Sequence, residues 1–214
     1  GKLPVPDTVD FVELVAKYDP VAPEVTINPK EDLAHLAYTG GTTGPSKGCM
    51  ITHYNVVVNV LQAAHWAAGG HFVIQDGRFE RDPLPGYEPK DYEVPRDQGR
   101  AVCVVPWFHA MGAIGYLNLP IYGGVTQVVF PRLDEDQFLN ALEEYRATSL
   151  GGAPQLYIPL MNHPRIKELD LSSIATVASG SAPLPLEIIE KIQKVISGGV
   201  VIEAYGMTEC TMMA

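Results

Sequence analysis

The stretch Tyr-Thr-Gly-Gly-Thr-Thr-Gly-Pro-Ser-Lys-Gly, residues 38–48, decides how the rest of this chain is interpreted. Its inner glycines are Gly40, Gly41 and Gly44, and its threonines are Thr39, Thr42 and Thr43. Glycine allows backbone conformations that are closed to other residues and lets a ligand come close to the chain. The threonines add hydroxyl donors, and Lys47 adds a mobile ammonium group. Because backbone N–H groups, hydroxyls and an ammonium on one loop suit a polyphosphate, we predict a phosphate-binding loop over residues 39–47.

Two common phosphate-binding motifs do not fit this loop. A Walker loop requires Gly-Lys followed by Ser or Thr, whereas Lys47 lies between Ser46 and Gly48. The dinucleotide spacing G-x-G-x-x-G is also absent from it. A flexible surface turn is the alternative that the composition of the loop leaves open.

The composition of the 214-residue chain narrows its class and its partners. Apolar residues make up 46% and charged residues 19%, and no apolar run approaches the length of a membrane span. The formal net charge of −10 argues against a nucleic-acid backbone as partner, because no basic patch offsets it. A nucleotide site needs only a local positive potential. Three cysteines without Cys-x-x-Cys spacing indicate a reducing compartment, the cytoplasm, with neither a zinc site nor a disulfide framework.

Two segments differ from the rest of the chain. Residues 1–32 contain five prolines around a short helix predicted over 7–18, which is typical of a connector from an upstream part. Residues 76–98 hold eleven charged residues and four prolines, with no hydrophobic periodicity. A structureless segment of this length is uncommon inside a compact domain, so we predict that it is wholly or partly mobile.

Apolar strand candidates alternate with helix candidates from residue 33 to residue 214. The strands are predicted over 33–38, 101–105, 125–130, 174–178 and 200–204, and the main helices over 52–68, 134–147 and 185–197. This alternation predicts an α/β layered domain with a largely parallel sheet.

Loops rich in glycine or polar residues follow four of these strands, at residues 39–47, 106–109, 179–184 and 205–209. In open α/β sheets, ligands bind outside the carboxyl ends of the strands. If the strands are parallel, all four loops line one cleft.

These loops resemble the motifs of the adenylate-forming superfamily, which comprises acyl- and aryl-CoA synthetases, peptide-synthetase adenylation domains and beetle luciferases. The phosphate loop is similar to Tyr-Thr-Ser-Gly-Thr-Thr-Gly-x-Pro-Lys-Gly, with Gly40 in place of Ser and Ser46 in place of Pro. Pro-Trp-Phe-His-Ala-Met-Gly is similar to Pro-x-Phe-His-x-x-Gly. Gly-Ser-Ala-Pro-Leu is close to Gly-Gly-Ala-Pro-Leu, with Ser181 for the second Gly, and Tyr-Gly-Met-Thr-Glu at 205–209 matches Tyr-Gly-x-Thr-Glu. The resemblance covers the chain from about residue 30 onward and implies a partial N-terminal, AMP-binding domain.

The resemblance also implies roles for the residues of these loops. Lys47 and its loop would hold the β- and γ-phosphates of ATP, and Thr208 would bond the α-phosphate. Glu209, together with Thr42, would hold Mg²⁺, which takes one or two carboxylates plus substrate phosphates. Tyr205 would stack on adenine. The residues implied to line the nucleotide or the acid are Gly180, Ser181, Ala182, Pro183, Gly206 and His109, the last acting with Lys47 and Thr208 in catalysis.

Each of these assignments has a plainer alternative. Tyr205 could be a core aromatic that caps its strand, and Glu209 could be a solvated surface charge. Residues 180–183 could form an ordinary turn into a helix. His109 could be a satisfied core histidine rather than the gate of an acid site.

The activity implied is that of an acyl-CoA synthetase. A carboxylate attacks the α-phosphate of ATP to give an acyl-adenylate and pyrophosphate, and the thiol of coenzyme A then attacks the adenylate. Amino-acid-activating members usually carry Asp where this chain has His109, which disfavours a peptide-synthetase domain. A fatty or an aromatic acid fits the apolar Trp107, Phe108, Ala110 and Met111, and of the two we expect a fatty acid. An aryl-CoA ligase, a luciferase-like activity and a nucleotide-binding module without catalysis stay open.

The superfamily carries further parts beyond its Tyr-Gly-x-Thr-Glu motif. They are an Asp for the ribose, a hinge and a C-terminal domain with a catalytic Lys, and the five residues after Glu209 cannot hold them. We therefore expect this polypeptide alone to form no acyl-CoA at a useful rate. We also expect it to expose apolar surface that favours self-association.

Overall fold

The computed structural model describes residues 8–40, 44–88, 90, 93–196 and 198–214. Strands β1 to β9 are, in chain order, Leu33–Thr39, Lys47–Thr52, Gly70–Gln75, Arg78–Pro83, Arg100–Cys103, Thr126–Val129, Ser149–Gly152, Thr176–Ser179 and Val200–Glu203. Helices α1 to α6 are Phe11–Val15, His53–Ala68, Leu119–Gly123, Glu135–Glu144, Pro154–Asn162 and Leu186–Val195. A π-helix spans Met111–Asn118, and 3₁₀ turns span Pro164–Lys167 and Thr208–Cys210.

A five-stranded parallel sheet in the order β6-β5-β7-β8-β9 forms the centre of the fold. Helices α4, α5 and α6 pack against it and supply most of the buried apolar side chains. The buried residues of this core include Val102, Phe138, Leu139, Leu142, Leu150, Tyr157, Leu160, Val177 and Ile192. The predicted α/β fold with a largely parallel sheet is confirmed.

The predicted strands after residue 100 are observed as β5, β6, β8 and β9, each four residues long. The sequence does not predict β7, because Ser-Leu-Gly-Gly is short, half glycine and without β-branched residues. Both glycines have a packing reason. A Cβ on Gly151 would lie 2.0 Å from the Tyr116 hydroxyl, and one on Gly152 would lie 2.6 Å from Leu156.

The strand predicted over 33–38 is observed as β1, but it is not part of the parallel sheet. It pairs antiparallel with β2, which the sequence prediction missed, and the two form a separate two-stranded sheet. Thr39 and Lys47 are cross-strand partners, so the predicted phosphate loop connects a hairpin. The expectation that all four loops leave strands of one parallel sheet is therefore wrong for this loop and holds for the other three.

The expectation of a structureless segment over 76–98 is wrong for its first part. Strand β4 pairs antiparallel with β3 through a two-residue turn of Asp76 and Gly77, whose φ angles are 51° and 74°. Positive φ at both central residues defines a type I′ turn, which favours Asp-Gly and matches the twist of a hairpin. The Tyr87 hydroxyl then donates a hydrogen bond to the Glu93 carboxylate. Mobility of the segment stays a prediction.

The helix ends follow side-chain chemistry. Thr52 and Asn55 form a capping box at the start of α2, and Gly69 ends that helix in the left-handed conformation. Asp134 caps α4, and Pro185 lies before α6 rather than at its first position, where the helix predicted over 185–197 began. Of the helix predicted over 7–18, only α1 is observed, and residues 1–7 lie outside the described ranges. Within those ranges, no helix combines the length and the apolar character that crossing a membrane requires.

Candidate functional site

The loops that follow β5, β8 and β9 share the carboxyl edge of the parallel sheet. The loops after β8 and β9 each begin with a backbone bond that continues the sheet, Gly180 N–H to the Gly152 carbonyl at 3.0 Å and Ala204 N–H to the Ser179 carbonyl at 2.8 Å. Parallel strands place such loops on one side of the domain, where α/β proteins bind ligands.

The loop after β9 folds back on itself. Ala214 N–H donates to the Tyr205 carbonyl at 3.2 Å, so the chain from 205 to 214 forms a closed segment. Gly206 permits this fold, because a Cβ there would lie 1.8 Å from the Met212 carbonyl oxygen. The Tyr205 side chain is 71% exposed, which excludes a core aromatic and leaves its ring open for stacking. The packing of this segment therefore requires glycine at position 206, independently of any contact with a nucleotide.

The loop after β8 is fixed by a carboxylate that the sequence analysis did not identify. Glu203, the last residue of β9, accepts a hydrogen bond from Leu184 N–H at 2.9 Å. Ser181 in the same loop has a φ of 66°, a left-handed conformation that glycine adopts without strain. This explains the second Gly of the superfamily pattern. Ala182 and Pro183 are exposed, and Gly180 is buried.

The loop after β5 carries His109 at the protein surface. The exposed imidazole accepts a hydrogen bond at Nδ1 from Met111 N–H at 3.2 Å, so the alternative of a core histidine is excluded. An imidazole that accepts at Nδ1 carries its proton on Nε2. The Ser181 hydroxyl donates to Met111 Sδ at 3.3 Å, which joins this loop to the loop after β8.

The hairpin of β1 and β2 brings the predicted phosphate loop to the same side. The Cys49 thiol of β2 donates to the Thr208 carbonyl at 3.5 Å, and the Ser46 hydroxyl donates to the Thr39 carbonyl at 3.0 Å. A Cβ on Gly40 or Gly44 would meet no atom within 4 Å among the described residues, so both glycines border open space. Three members of the predicted loop, Gly41, Thr42 and Thr43, lie outside the described residues.

Two charged side chains of the predicted site are exposed and unengaged. In the part of the chain that the structure describes, neither the Lys47 ammonium nor the Glu209 carboxylate has a hydrogen-bond or ion-pair partner. That part also holds no group of three or more His, Cys, Asp or Glu side chains that could bind a metal. Mg²⁺ usually keeps several waters and takes one or two carboxylates beside phosphates, so a single exposed carboxylate such as Glu209 fits it.

Buried phenols lie beneath the carboxyl edge. The Tyr157 hydroxyl donates to the Ala178 carbonyl at 2.5 Å, and the Tyr116 hydroxyl lies over Gly151. Burial raises the pKa of both tyrosines and of the Cys103 thiol, so all three groups stay protonated at neutral pH. They therefore add no charge beneath the carboxyl edge.

The sequence pattern of one protein family, described as AMP-binding enzyme, matches residues 3–214. A long-chain-fatty-acid–CoA ligase of Bacillus subtilis (strain 168) is 35% identical over 185 residues, covering 86% of this chain and 29% of that protein. The 4-coumarate–CoA ligase 1 of Petroselinum crispum is 29% identical over 203 residues, covering 95% of this chain and 33% of that protein.

A solved structure shares the fold of this chain. ATP-bound MatB from Rhodopseudomonas palustris superimposes with a TM-score of 0.70 at 27% identity, over 94% of this chain and 34% of that one. The chain thus spans about a third of the length of the relatives it matches. On the match over residues 3–214, the chain belongs to the AMP-binding enzyme family, and the two relatives from Bacillus subtilis and Petroselinum crispum are named CoA ligases.

Proposed function

We propose that this chain is the nucleotide-binding part of an enzyme that activates a carboxylic acid with ATP and passes the acyl group to coenzyme A. The observation that carries the proposal is the contact of Cys49 with Thr208, which sets the phosphate-loop hairpin beside the Thr-Glu turn of the carboxyl edge. Family membership supports the same chemistry, because the relatives of this chain include CoA ligases with fatty and aromatic acids in their names.

The phosphates of ATP would bind between the hairpin and the turn. Lys47 offers the positive charge, and Gly40 and Gly44 offer backbone N–H groups at positions where no described residue is close. Thr208 would donate its hydroxyl to the α-phosphate that the carboxylate attacks. A Mg²⁺ ion at Glu209 would supply positive charge to the phosphates, with Thr42 as a second ligand. Catalysis of this kind depends on positioning and charge stabilisation rather than on covalent steps by the protein.

The adenine and the acid would bind along the carboxyl edge. The exposed Tyr205 ring provides a stacking face for adenine, and the backbone of residues 180–183 provides a wall beside it. His109, through Nε2–H, would border the acid. The nearby Trp107 and Phe108 are 43% and 81% exposed, so they offer an apolar surface to an acyl chain.

We propose a fatty acid as the substrate. The apolar Trp107, Phe108 and Met111 support this choice, as does the long-chain-fatty-acid–CoA ligase among the relatives. An aromatic acid is the second candidate, and the 4-coumarate–CoA ligase among the relatives favours it. We place the reaction in the cytoplasm, which fits the free thiols of Cys49, Cys103 and Cys210.

Exchange of labelled pyrophosphate into ATP tests the proposal. In its full natural length, the protein should catalyse this exchange only when a suitable carboxylic acid is present. A panel from short fatty to long fatty and aromatic acids then identifies the class. A Glu209→Ala variant serves as the control for contaminating synthetases. Nucleotide binding without acid-dependent exchange would show a binding module in place of an enzyme.

We further propose that the 214-residue chain associates with itself through the outer face of the β1–β2 hairpin. Leu36, Tyr38 and Met50 lie on this face and are 45%, 69% and 69% exposed. Such a contiguous apolar patch favours association. In sedimentation velocity, the chain should form concentration-dependent oligomers that a Tyr38→Ser, Met50→Ser double variant reduces. A monomer at all concentrations would contradict this.

A further inference from the structure

A buried amide on α2 has an unexpected partner. Asn59 is 4% exposed and stands on the inner side of the helix near Val60 and Ala63. A buried amide without hydrogen bonds would destabilise the fold, so its partners indicate what it is for.

Both functional atoms of this amide engage one residue. Asn59 Nδ2–H donates to the Met213 carbonyl at 2.9 Å, and Met213 N–H donates to Asn59 Oδ1 at 3.2 Å. The side chain therefore pairs with a backbone as a neighbouring strand would, and it fixes both the position and the rotation of Met213.

Met213 belongs to the folded-back segment 205–214, which carries Tyr205, Thr208 and Glu209. This segment contains a strained residue, because Thr211 has φ 74° and ψ −51°, the region of the rare γ-turn. Its internal bonds are few, including Cys210 N–H to Met207 and Ala214 N–H to Tyr205. A strained segment with few bonds keeps its shape only when its surroundings hold it.

Asn59 itself lies on the helix that is connected, through β2, to the predicted phosphate loop. Helix α2 starts at the Thr52 capping box directly after β2, the strand that begins with Lys47. Across the described residues, the β2–α2 unit and segment 205–214 share three hydrogen bonds, two between Asn59 and Met213 and one from the Cys49 thiol to the Thr208 carbonyl.

The geometry points to Asn59 as a positioning residue that sets Thr208 and Glu209 against the phosphate loop on the hairpin. The inference rests on the proposed function, since it matters only if both elements act on one nucleotide. Without the amide, the turn and the loop would each keep their own structure but lose their mutual distance.

Two variants and a control test this role in the 214-residue chain. Asn59→Ala should leave the melting temperature set by the parallel sheet nearly unchanged and speed amide exchange in residues 205–214. It should weaken AMP binding roughly tenfold or more, because two hydrogen bonds are lost. Gln62→Ala is the matched control. Gln62 lies on the same helix and lines, together with Asn59 and Glu209, an open pocket between the helix and the segment. It makes no hydrogen bond to the segment within the described residues.

Asn59→Asp makes the link to Met213 dependent on pH. A positioning role predicts that AMP affinity falls together with the protection of residues 205–214, whereas a merely structural amide would change the protection alone. A protonated Asp has the shape of Asn and can both donate to and accept from Met213, whereas the carboxylate can only accept. Burial raises the pKa of such a carboxyl, so the link should be present at low pH and lost as the pH rises through that pKa. Protection of residues 205–214, relative to wild type, should therefore fall with rising pH in this variant alone.

The outcomes separate this inference from the proposed function. If the wild-type chain binds no nucleotide, the proposed function is contradicted. The amide-exchange data then still test the link between Asn59 and Met213. Unchanged exchange and AMP affinity in Asn59→Ala, or no pH-dependent difference in Asn59→Asp, would overturn the inference. If Asn59→Ala does not fold, the pH profile of Asn59→Asp decides.

Discussion

The five-stranded sheet and the β1–β2 hairpin are both built from apolar residues, yet they bury them to very different degrees. Leu142, on α4 against the sheet, is fully buried, whereas Leu36 on the hairpin is 45% exposed. The hairpin buries only its inner side, where Ala37 and Ile51 lie close to α2. The stability of the domain therefore lies in the sheet and its helices, while the proposed phosphate loop is carried by its less supported part.

This difference in stability between the sheet and the hairpin agrees with where ligand-binding elements usually lie. Loops that close on a ligand come from regions of low local stability, and core strands and helices open last. We expect segment 205–214 to be intermediate in local stability, because it leaves the sheet at β9 and is tied to the hairpin side through Asn59.

The largest effect is expected from a matched pair of leucines. Leu142→Ala should lower the free energy of unfolding by about 2–5 kcal/mol, because it leaves a cavity in the core. Leu36→Ala should lower it by less than about 1 kcal/mol, because the side chain is half exposed. Urea unfolding of both variants measures the difference. Equal losses would mean that the hairpin is as much part of the core as α4.

The next effect distinguishes two glycines of the carboxyl edge. Gly206→Ala should destabilise the fold by roughly 3 kcal/mol, because its Cβ would press against the Met212 backbone. Gly180→Ala should be tolerated, since its Cβ would lie 3.4 Å from the Ala204 carbonyl and from Met111 Sδ. We expect it instead to weaken nucleotide binding. Thermal melts with AMP titrations check both, and a stable Gly206→Ala variant would count against the folded-back segment.

Lys47→Ala tests the hairpin side directly. The variant should fold as wild type does, because Lys47 is exposed and has no partner among the described residues. It should lose roughly ten- to 150-fold in ATP affinity, since a hydrogen bond to a charged group contributes about 1.5–3 kcal/mol. Calorimetry measures the change, with Lys17→Ala on the exposed N-terminal part as the control. Equal affinities would remove the phosphate role from this lysine.

The smallest effect concerns Ser181. Replacement by Gly should stabilise the domain by about 0.5 kcal/mol, because glycine adopts a φ of 66° without strain and the cost in unfolded-chain entropy offsets only part of that. Nucleotide affinity should stay the same or rise slightly. A loss of stability would show that the bond from the Ser181 hydroxyl to Met111 outweighs the strain.

The sequence predicts four of the five strands of the parallel sheet, because those four are apolar runs between recognisable loops, whereas the glycine-rich β7 is not. Of the strands in the two hairpins, only β1 is predicted, and the other three are harder to predict for a physical reason. In β2, Lys-Gly-Cys-Met-Ile-Thr begins with a charge and a glycine, and the preceding loop has the composition of one that leads into a helix. The Asp76–Gly77 turn did carry a signal, since Asp-Gly between residues of strand character favours a hairpin, but the surrounding charges concealed it.

The site could be predicted in part. Tyr205, His109 and the loop at 180–183 occur in local motifs, and the structure places them along one edge. Asn59 and Glu203 could not be found in this way, because their roles depend on partners far along the chain, Met213 and Leu184. An amide within Val-Val-Val-Asn-Val shows no sign of its partner until the helix is packed.

The central claim is that the hairpin and the carboxyl edge form one nucleotide site, and amide exchange with and without Mg²⁺ and ATP tests it most directly. ATP should slow exchange in residues 44–49 and in residues 205–210 together, with the same concentration dependence. The helix α4 should be unaffected. Protection of one segment without the other, or of neither, would contradict the claim.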